Sequence, residues 1–222
     1  MGVEISYKAQ KAILGQNELI SYDERELKNI ATGLVAGAVS ETLLSKPIDS
    51  IFFPSYEIRR AVDLYAEEFC LFVEDTLAAF WAVRRGIPSV GLPIWLQNSS
   101  SEYTSAAIEG AMGEAVSGYL LERLYLATLH HRPRGRSPDI YMILPNDKRA
   151  TVEAKATVKI DERSLDNRVA EAVFDTLDIW AHIDAVESLE NLMSFCIGVS
   201  IGQEILEARI LRLEYQRTGS PI

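Results

Sequence analysis

Pro138-Asp139-Ile140-Tyr141-Met142-Ile143-Leu144-Pro145-Asn146-Asp147-Lys148-Arg149-Ala150-Thr151-Val152-Glu153-Ala154-Lys155 is the stretch on which the fold turns. Two runs rich in β-branched and apolar residues flank a Pro-Asn-Asp cluster. The spacing predicts a hairpin, with a strand over 139–144, a turn over 145–149 and a strand over 150–160. Glu153 and Lys155 are two apart, so both side chains leave the same face of their strand. If the turn joins Leu144 directly to Ala150, Asp139 falls opposite Lys155 and one diagonal step from Glu153. Directly paired residues point to the same face, so the three groups converge. A register shifted by one residue sends Asp139 to the other side.

Outward from the hairpin, residues 102–130 read as a helix and 131–137 as a basic loop. Ser164 can cap a helix reaching about Val186, with Asp166 in its first turn. Two further strands follow over 194–201 and 208–215. This α-β-β-α-β-β order is an α/β (α+β) arrangement, with helices covering a mixed central sheet. Upstream, Leu27, Ile30, Leu34, Val35 and Val39 recur at helical spacing from Asp23 to Leu44, ending near Ser45-Lys46-Pro47. A second helical pattern runs from about Tyr56 to Arg85, stopped by Gly86 and Pro88, and an irregular connector follows. There is no internal repeat. The expected organisation is an N-terminal helical region and connector over 1–101 and an α/β core over 102–222.

Two carboxylates and an ammonium on one sheet face pose a physical question. The carboxylates repel, and a hard divalent cation with oxygen ligands, Mg²⁺ or Mn²⁺, compensates them most directly. The lysine then holds or activates a water beside the metal, or stabilises charge developing on a phosphate. Each piece suits phosphodiester hydrolysis. The plain alternative is a solvent-facing hairpin with a charged ladder. A second acid-x-Lys triplet, Glu26-Leu27-Lys28, lies in a helical pattern without strand context and carries no such reading.

The chain here resembles the PD-(D/E)xK nuclease superfamily, the restriction-endonuclease-like proteins. The match is Pro138-Asp139 followed, fourteen residues on, by Glu153-Ala154-Lys155, and it covers about residues 102–205. The resemblance implies a metal-dependent nuclease in which Asp139 and Glu153 bind the metal and Lys155 assists the attacking water. It also implies a glutamate on the preceding helix near the metal, for which Glu114 is the candidate. Glu114 shares one helix side with Gly110, Ser117 and Gly118, a narrow face suited to close approach; a solvated surface acid explains it equally simply. The helix after Lys155 reads Asp166-Asn167-Arg168-Val169-Ala170-Glu171, without the glutamine-to-tyrosine signature of RecB-like exonucleases, which speaks against an exonuclease.

The net charge of -10 argues against a broad nucleic-acid-coating surface. Its distribution differs. Residues 130–160 hold seven Lys or Arg against three Asp or Glu, a balance of +4, so the remaining chain carries -14. This local island coincides with the motif. Arg132, Arg134 and Arg136 in the basic loop have the planar fork that binds phosphate oxygens, and point to nucleic acid, DNA first, as partner. A solvated loop accounts for the same letters. Three histidines, none near a cysteine, do not make a zinc site.

Cys70 and Cys196 fit core positions, not a disulfide framework. Residues 1–10 alternate polar and apolar and lack the apolar run of a signal peptide. The apolar run 30–44 is shorter than the roughly 20 residues a membrane span needs. A cytoplasmic protein is expected. Along the helical pattern 56–85, Phe69, Phe72, Phe80 and Trp81 stand beside Leu64, Leu71 and Leu77. A helix apolar around so much of its circumference needs cover on several faces, which points to a homodimer.

Overall fold

A computed structural model of the chain describes residues 2–15, 23–41, 50–65, 101–132, 138–159, 161–184, 192–202 and 205–216. Among them one sheet organises the molecule. Its strands are β1 (Gly2–Gly15), β2 (Val39–Ser40), β3 (Ser50–Pro54), β4 (Thr128–His131), β5 (Ile140–Ile143), β6 (Arg149–Thr157), β7 (Met193–Ile201) and β8 (Ile205–Gln216). They lie in the order β2-β1-β8-β7-β6-β5-β4, with β3 also paired to β1. β1 runs parallel to β8 and β6 parallel to β7, and the other pairs are antiparallel, so the sheet is mixed.

The helices are α1 (Glu24–Gly37), α2 (Ser55–Tyr65), α3 (Ser101–Tyr125) and α4 (Glu162–Asp184). Alternation along the strands sorts the two layers. Val152, Phe195, Ile197, Val199, Ile210 and their neighbours pack with Ile58, Val62 and Tyr65 of α2 and Met112, Val116 and Leu120 of α3. On the other face Cys196, Leu211, Leu213 and Tyr215 pack with Leu27, Ala31 and Val35 of α1 and Val169, Val173, Leu177 and Trp180 of α4. Two helices thus cover each face. None of the described helices is long and apolar enough to cross a membrane.

The expected N-terminal helical region needs correcting. The first described segment, β1, is a 14-residue strand paired with β8 over Glu4–Gly15. Its pattern is hard to read because it changes sides. Val3 and Ile5 bury toward α2 and α3, whereas Leu14 buries toward α1 and α4. Val3 to Gln10 still alternate apolar and polar with the period of two of a strand, and the alternation fails only over Lys11–Leu14, where the buried side changes.

α1 begins where Asp23 accepts the Arg25 N–H at 2.8 Å, and buries Leu27, Ala31 and Val35. It ends at Gly37, short of the expected Leu44, and Val39–Ser40 pair instead with Lys11 and Gln10 of β1. Of the pattern 56–85, the described part is helical to Tyr65, and residues 66–100, with Phe69, Cys70, Phe72, Phe80 and Trp81, lie outside the described residues. α3 ends at Tyr125, before the expected His130, because Leu126 adopts a left-handed φ of 53° and Ala127 N–H returns to Leu121 O at 3.2 Å. That return bond stops the helix, and 128–131 become the edge strand β4, which the sequence reading placed in helix and loop. α4 is capped by Asp161, whose carboxylate accepts the Ser164 N–H and hydroxyl, each at 2.7 Å; Ser164 is inside the helix, not its cap.

Candidate functional site

β6 lies between β5 and β7 and carries two kinds of residue. Ala150 and Val152 face α3, while Thr151, Glu153, Lys155 and Thr157 alternate toward α4. The hairpin with β5 forms as expected, in a different register. Its turn begins at Leu144, whose N–H donates to Lys148 O at 2.7 Å, and Asp147 takes a left-handed φ of 58°, a conformation aspartate tolerates. Ile143 therefore pairs with Arg149 and Ile140 with Val152. Continuing that register puts Asp139 opposite Glu153, not opposite Lys155. The shift is two residues, so the face is unchanged.

Asp139 precedes β5 at a point where the strand ladder has stopped. Its Oδ2 accepts the Ala154 N–H at 2.8 Å, in place of the carbonyl a longer β5 would supply. The Lys155 ammonium donates to Glu153 Oε1 at 2.8 Å and lies 2.7 Å from Asp175 Oδ2 on α4. Side-chain exposure rises from 7% at Glu153 through 29% at Lys155 to 38% at Asp175, so the cluster runs from the interior to the surface.

The electrostatics follow from this layout. Burial, reinforced by the Asp139 charge, raises the Glu153 carboxyl to about 7 against the partial relief given by Lys155. For Lys155 burial acts against the ammonium, but Glu153 and Asp175 outweigh it and hold its pKa above the ordinary lysine range. Lys155 is therefore a cation at neutral pH, while Glu153 is poised near its own titration.

Beneath the ion pair is a bed of small polar groups. Thr176 Oγ1 lies 3.4 Å from both Ser194 Oγ and Cys196 Sγ, and the Ser194 hydroxyl donates to Thr151 O at 3.3 Å. Cys196 is fully buried and its thiol is pushed up to about 12, chiefly by burial, so it is packing rather than a nucleophile. Asp175 is the member of the cluster the sequence reading missed. Its signal is faint: Asp175-Thr176 interrupts the stripe Val169, Ala172, Val173, Leu177 and Trp180 that buries α4.

The structure thus gathers Asp139, Glu153 and Lys155 on the α4 side. Glu114 sits half-buried on α3, the helix of the opposite layer. A Cβ at its neighbour Gly113 would stand 2.9 Å from the Cβ of Ala156, so α3 approaches β6 closely just past Lys155. Arg132 is half-buried and its Nη1 donates to Leu64 O at 3.5 Å, tying it to α2; Arg134 and Arg136 lie outside the described residues.

The donor set is all oxygen, from Asp139 and Glu153 with Asp175 across the lysine, which fits a hard divalent cation and not a thiolate- or imidazole-seeking one. Among the described residues no group of three His, Cys, Asp or Glu forms a metal cage by itself, and the Lys155 ammonium supplies the compensating charge at Glu153. A cation seated on Asp139 and Glu153 would displace that contact and leave Lys155 on Asp175. Comparison with known proteins found no matching family, no matching curated protein and no matching solved structure.

Proposed function

We propose that the chain is a divalent-metal-dependent nuclease of the PD-(D/E)xK kind, a cytoplasmic hydrolase of phosphodiester bonds with a restriction-endonuclease-like core over 102–222. The observation that carries this reading is Glu153: a buried carboxylate, kept near a pKa of 7 beside Asp139, one strand step from a fixed ammonium. Such a charge costs stability unless a cation offsets it, and pKa shifts of this origin concentrate at reactive sites. Asp139 and Glu153 would hold Mg²⁺ or Mn²⁺; Glu114, the further acid the resemblance assigns, stands on α3 across the sheet from them. When bound there, such a cation would supply charge for the phosphate oxygens and lower the pKa of a water. Lys155, already protonated, cannot take that water's proton; it positions the water and stabilises charge as the new P–O bond forms and the ester P–O bond breaks. The water's proton leaves to solvent and the departing oxygen is protonated. Arg134 and Arg136 would hold the phosphate backbone of DNA, while Arg132, which the sequence grouped with them, is turned to Leu64 O on α2.

A panel of single- and double-stranded DNA and RNA, incubated with Mg²⁺ and with Mn²⁺, tests this directly. Cleavage that Asp139→Asn removes is expected; no cleavage of any substrate with either metal ends the reading. A second reading has its own observation. Lys155 already bridges Glu153 and Asp175, so the cluster is electrostatically closed without a metal, as in a non-catalytic interaction protein that keeps a nuclease-like fold. Absence of a Mn²⁺-binding heat selects it.

We also propose a homodimer through the segment 56–85, of which 66–85 lie outside the described residues. At its described end Tyr56 is 72% exposed and the nearby Phe52 57%. Light scattering at micromolar concentration should give twice the chain mass, and a monomeric mass rejects it.

A further inference from the structure

α4 packs over β6, β7 and β8, leaving the same face of β4 and β5 without a helix among the described residues. That open face adjoins the carboxylate–lysine cluster. Tyr141 pairs with Thr151, two residues before Glu153, so Tyr141, Thr151, Glu153 and Lys155 share it. His131 pairs with Tyr141 across the edge strand, after a register shift at Leu129/His131. The two rings stack, with centroids 4.8 Å apart and planes 9° from parallel, and His130 meets His131 edge-on at 5.2 Å. Both histidines are exposed and Tyr141 is half-buried. Arg149, exposed and two residues before Thr151, lies on the same face.

A stacked ring pair with its outer histidine exposed, beside an arginine and leading to an acid–lysine cluster, matches one ligand chemistry. We propose that the His131–Tyr141 pair is a base-stacking platform for single-stranded nucleic acid, with Arg149 facing its phosphates. The inference deepens the nuclease reading and rests on it for the role of the neighbouring site. Stacking on a protein ring requires a base that has left its own stack, so a single strand fits and an intact duplex does not. Tyr141 is two residues (roughly 7 Å) and one strand (roughly 5 Å) from Glu153, and His131 one strand further, so a base on this platform belongs to a nucleotide one or two from the one at Glu153. A cross-strand aromatic pair also steadies an edge strand, but that role alone gives no dependence on a ligand's bases.

The test reads binding in EDTA, where cleavage does not enter. Fluorescence anisotropy is followed with a dye-labelled 12-mer of thymidylate, a 12-mer duplex, and a 12-mer whose central bases are replaced by abasic sites. The unmutated protein should bind the thymidylate strand about tenfold or more tightly than the abasic strand, and more tightly than the duplex. His131→Ala and Tyr141→Ala should each lower the first affinity about five- to tenfold or more, with Tyr141→Phe restoring it. Equal affinity for the base-bearing and abasic strands overturns the platform whatever the variants do. Base-dependent binding without cleavage under any metal leaves the platform standing and removes the nuclease reading; cleavage with base-independent binding does the reverse.

Discussion

The Asp139 carboxylate accepts the Ala154 backbone N–H at 2.8 Å, so the first acid of the cluster is fastened to the strand that carries Glu153 and Lys155. One side chain thereby does two things. It closes a ladder that β5 leaves open, and it sets a negative charge beside a buried carboxylate.

These two roles separate by substitution. Asp139→Asn keeps an oxygen that can accept the Ala154 N–H but loses the charge, so it should melt within about 1 kcal/mol of the unmutated protein and bind no Mn²⁺. Asp139→Ala also leaves that N–H without its acceptor and should lose about 1–3 kcal/mol. Calorimetry with Mn²⁺ and denaturant melts of both variants check this. Undiminished Mn²⁺ binding by Asp139→Asn sinks the metal role.

Lys155→Ala should abolish cleavage while preserving a cooperative melt, at reduced stability. The reduction has a pH signature. Glu153 has a folded pKa raised above its unfolded value, so the folded state holds the proton more tightly, and stability falls as pH rises between the two values. Without the Lys155 ammonium that carboxyl moves higher still, and the window of declining stability widens upward. Denaturant melts from pH 5 to pH 9 should show the variant's deficit growing with pH. A deficit that is constant across the range would mean that Lys155 acts by packing alone.

The cluster was legible in outline and its wiring was not. Pro138-Asp139, the turn residues and Glu153-Ala154-Lys155 place three groups on one face of a hairpin, and a two-residue error in register leaves that face intact. Asp175 could not be found the same way. It reaches Lys155 from a helix twenty residues on, and pairing between separate elements leaves no local period. β4 escaped notice because Thr128, His130 and His131 are exposed on an edge strand, and an edge needs no apolar alternation. The alternation of Val3 to Gln10 announces the first half of β1, and only the second half, where the buried face changes, is hidden. By contrast α4 buries one consistent side and β7 buries both along a continuous run, and the sequence declares them.

Leu126 offers a prediction remote from the chemistry. It holds a φ of 53° at the end of α3 and is 72% exposed, so it bears left-handed strain while burying little in return. Leu126→Gly should stabilise the chain by about 1 kcal/mol, since glycine adopts this conformation without its Cβ clash. A lower midpoint in urea at unchanged slope would show that the leucine side chain matters more than its backbone.

Glu153→Gln bears on what the buried carboxylate is for. A glutamate kept for stability should be missed when it is neutralised, whereas one kept for metal chemistry should not. With a folded pKa of about 7 against an ordinary 4.5, ionised Glu153 opposes folding above pH 7, on the order of 3 kcal/mol at most by linkage, and its coupling to Lys155 shares that figure between them. Gln has nearly the same shape, carries no charge and can still accept the Lys155 N–H. In EDTA at pH 8 the variant should be at least as stable as the unmutated protein, and more stable by about 1–3 kcal/mol. At pH 5, close to the unfolded pKa, the advantage should shrink to under about 1 kcal/mol. Mn²⁺ reverses the order at pH 8, because only the carboxylate binds it, and the affinity of the unmutated protein should climb as pH rises through 7 and the proton leaves. Melts at both pH values, with and without Mn²⁺, give the four numbers required. A Glu153→Gln protein less stable than its parent at pH 8 in EDTA would make this carboxylate a structural partner of Lys155, and the metal reading would lose the observation on which it rests.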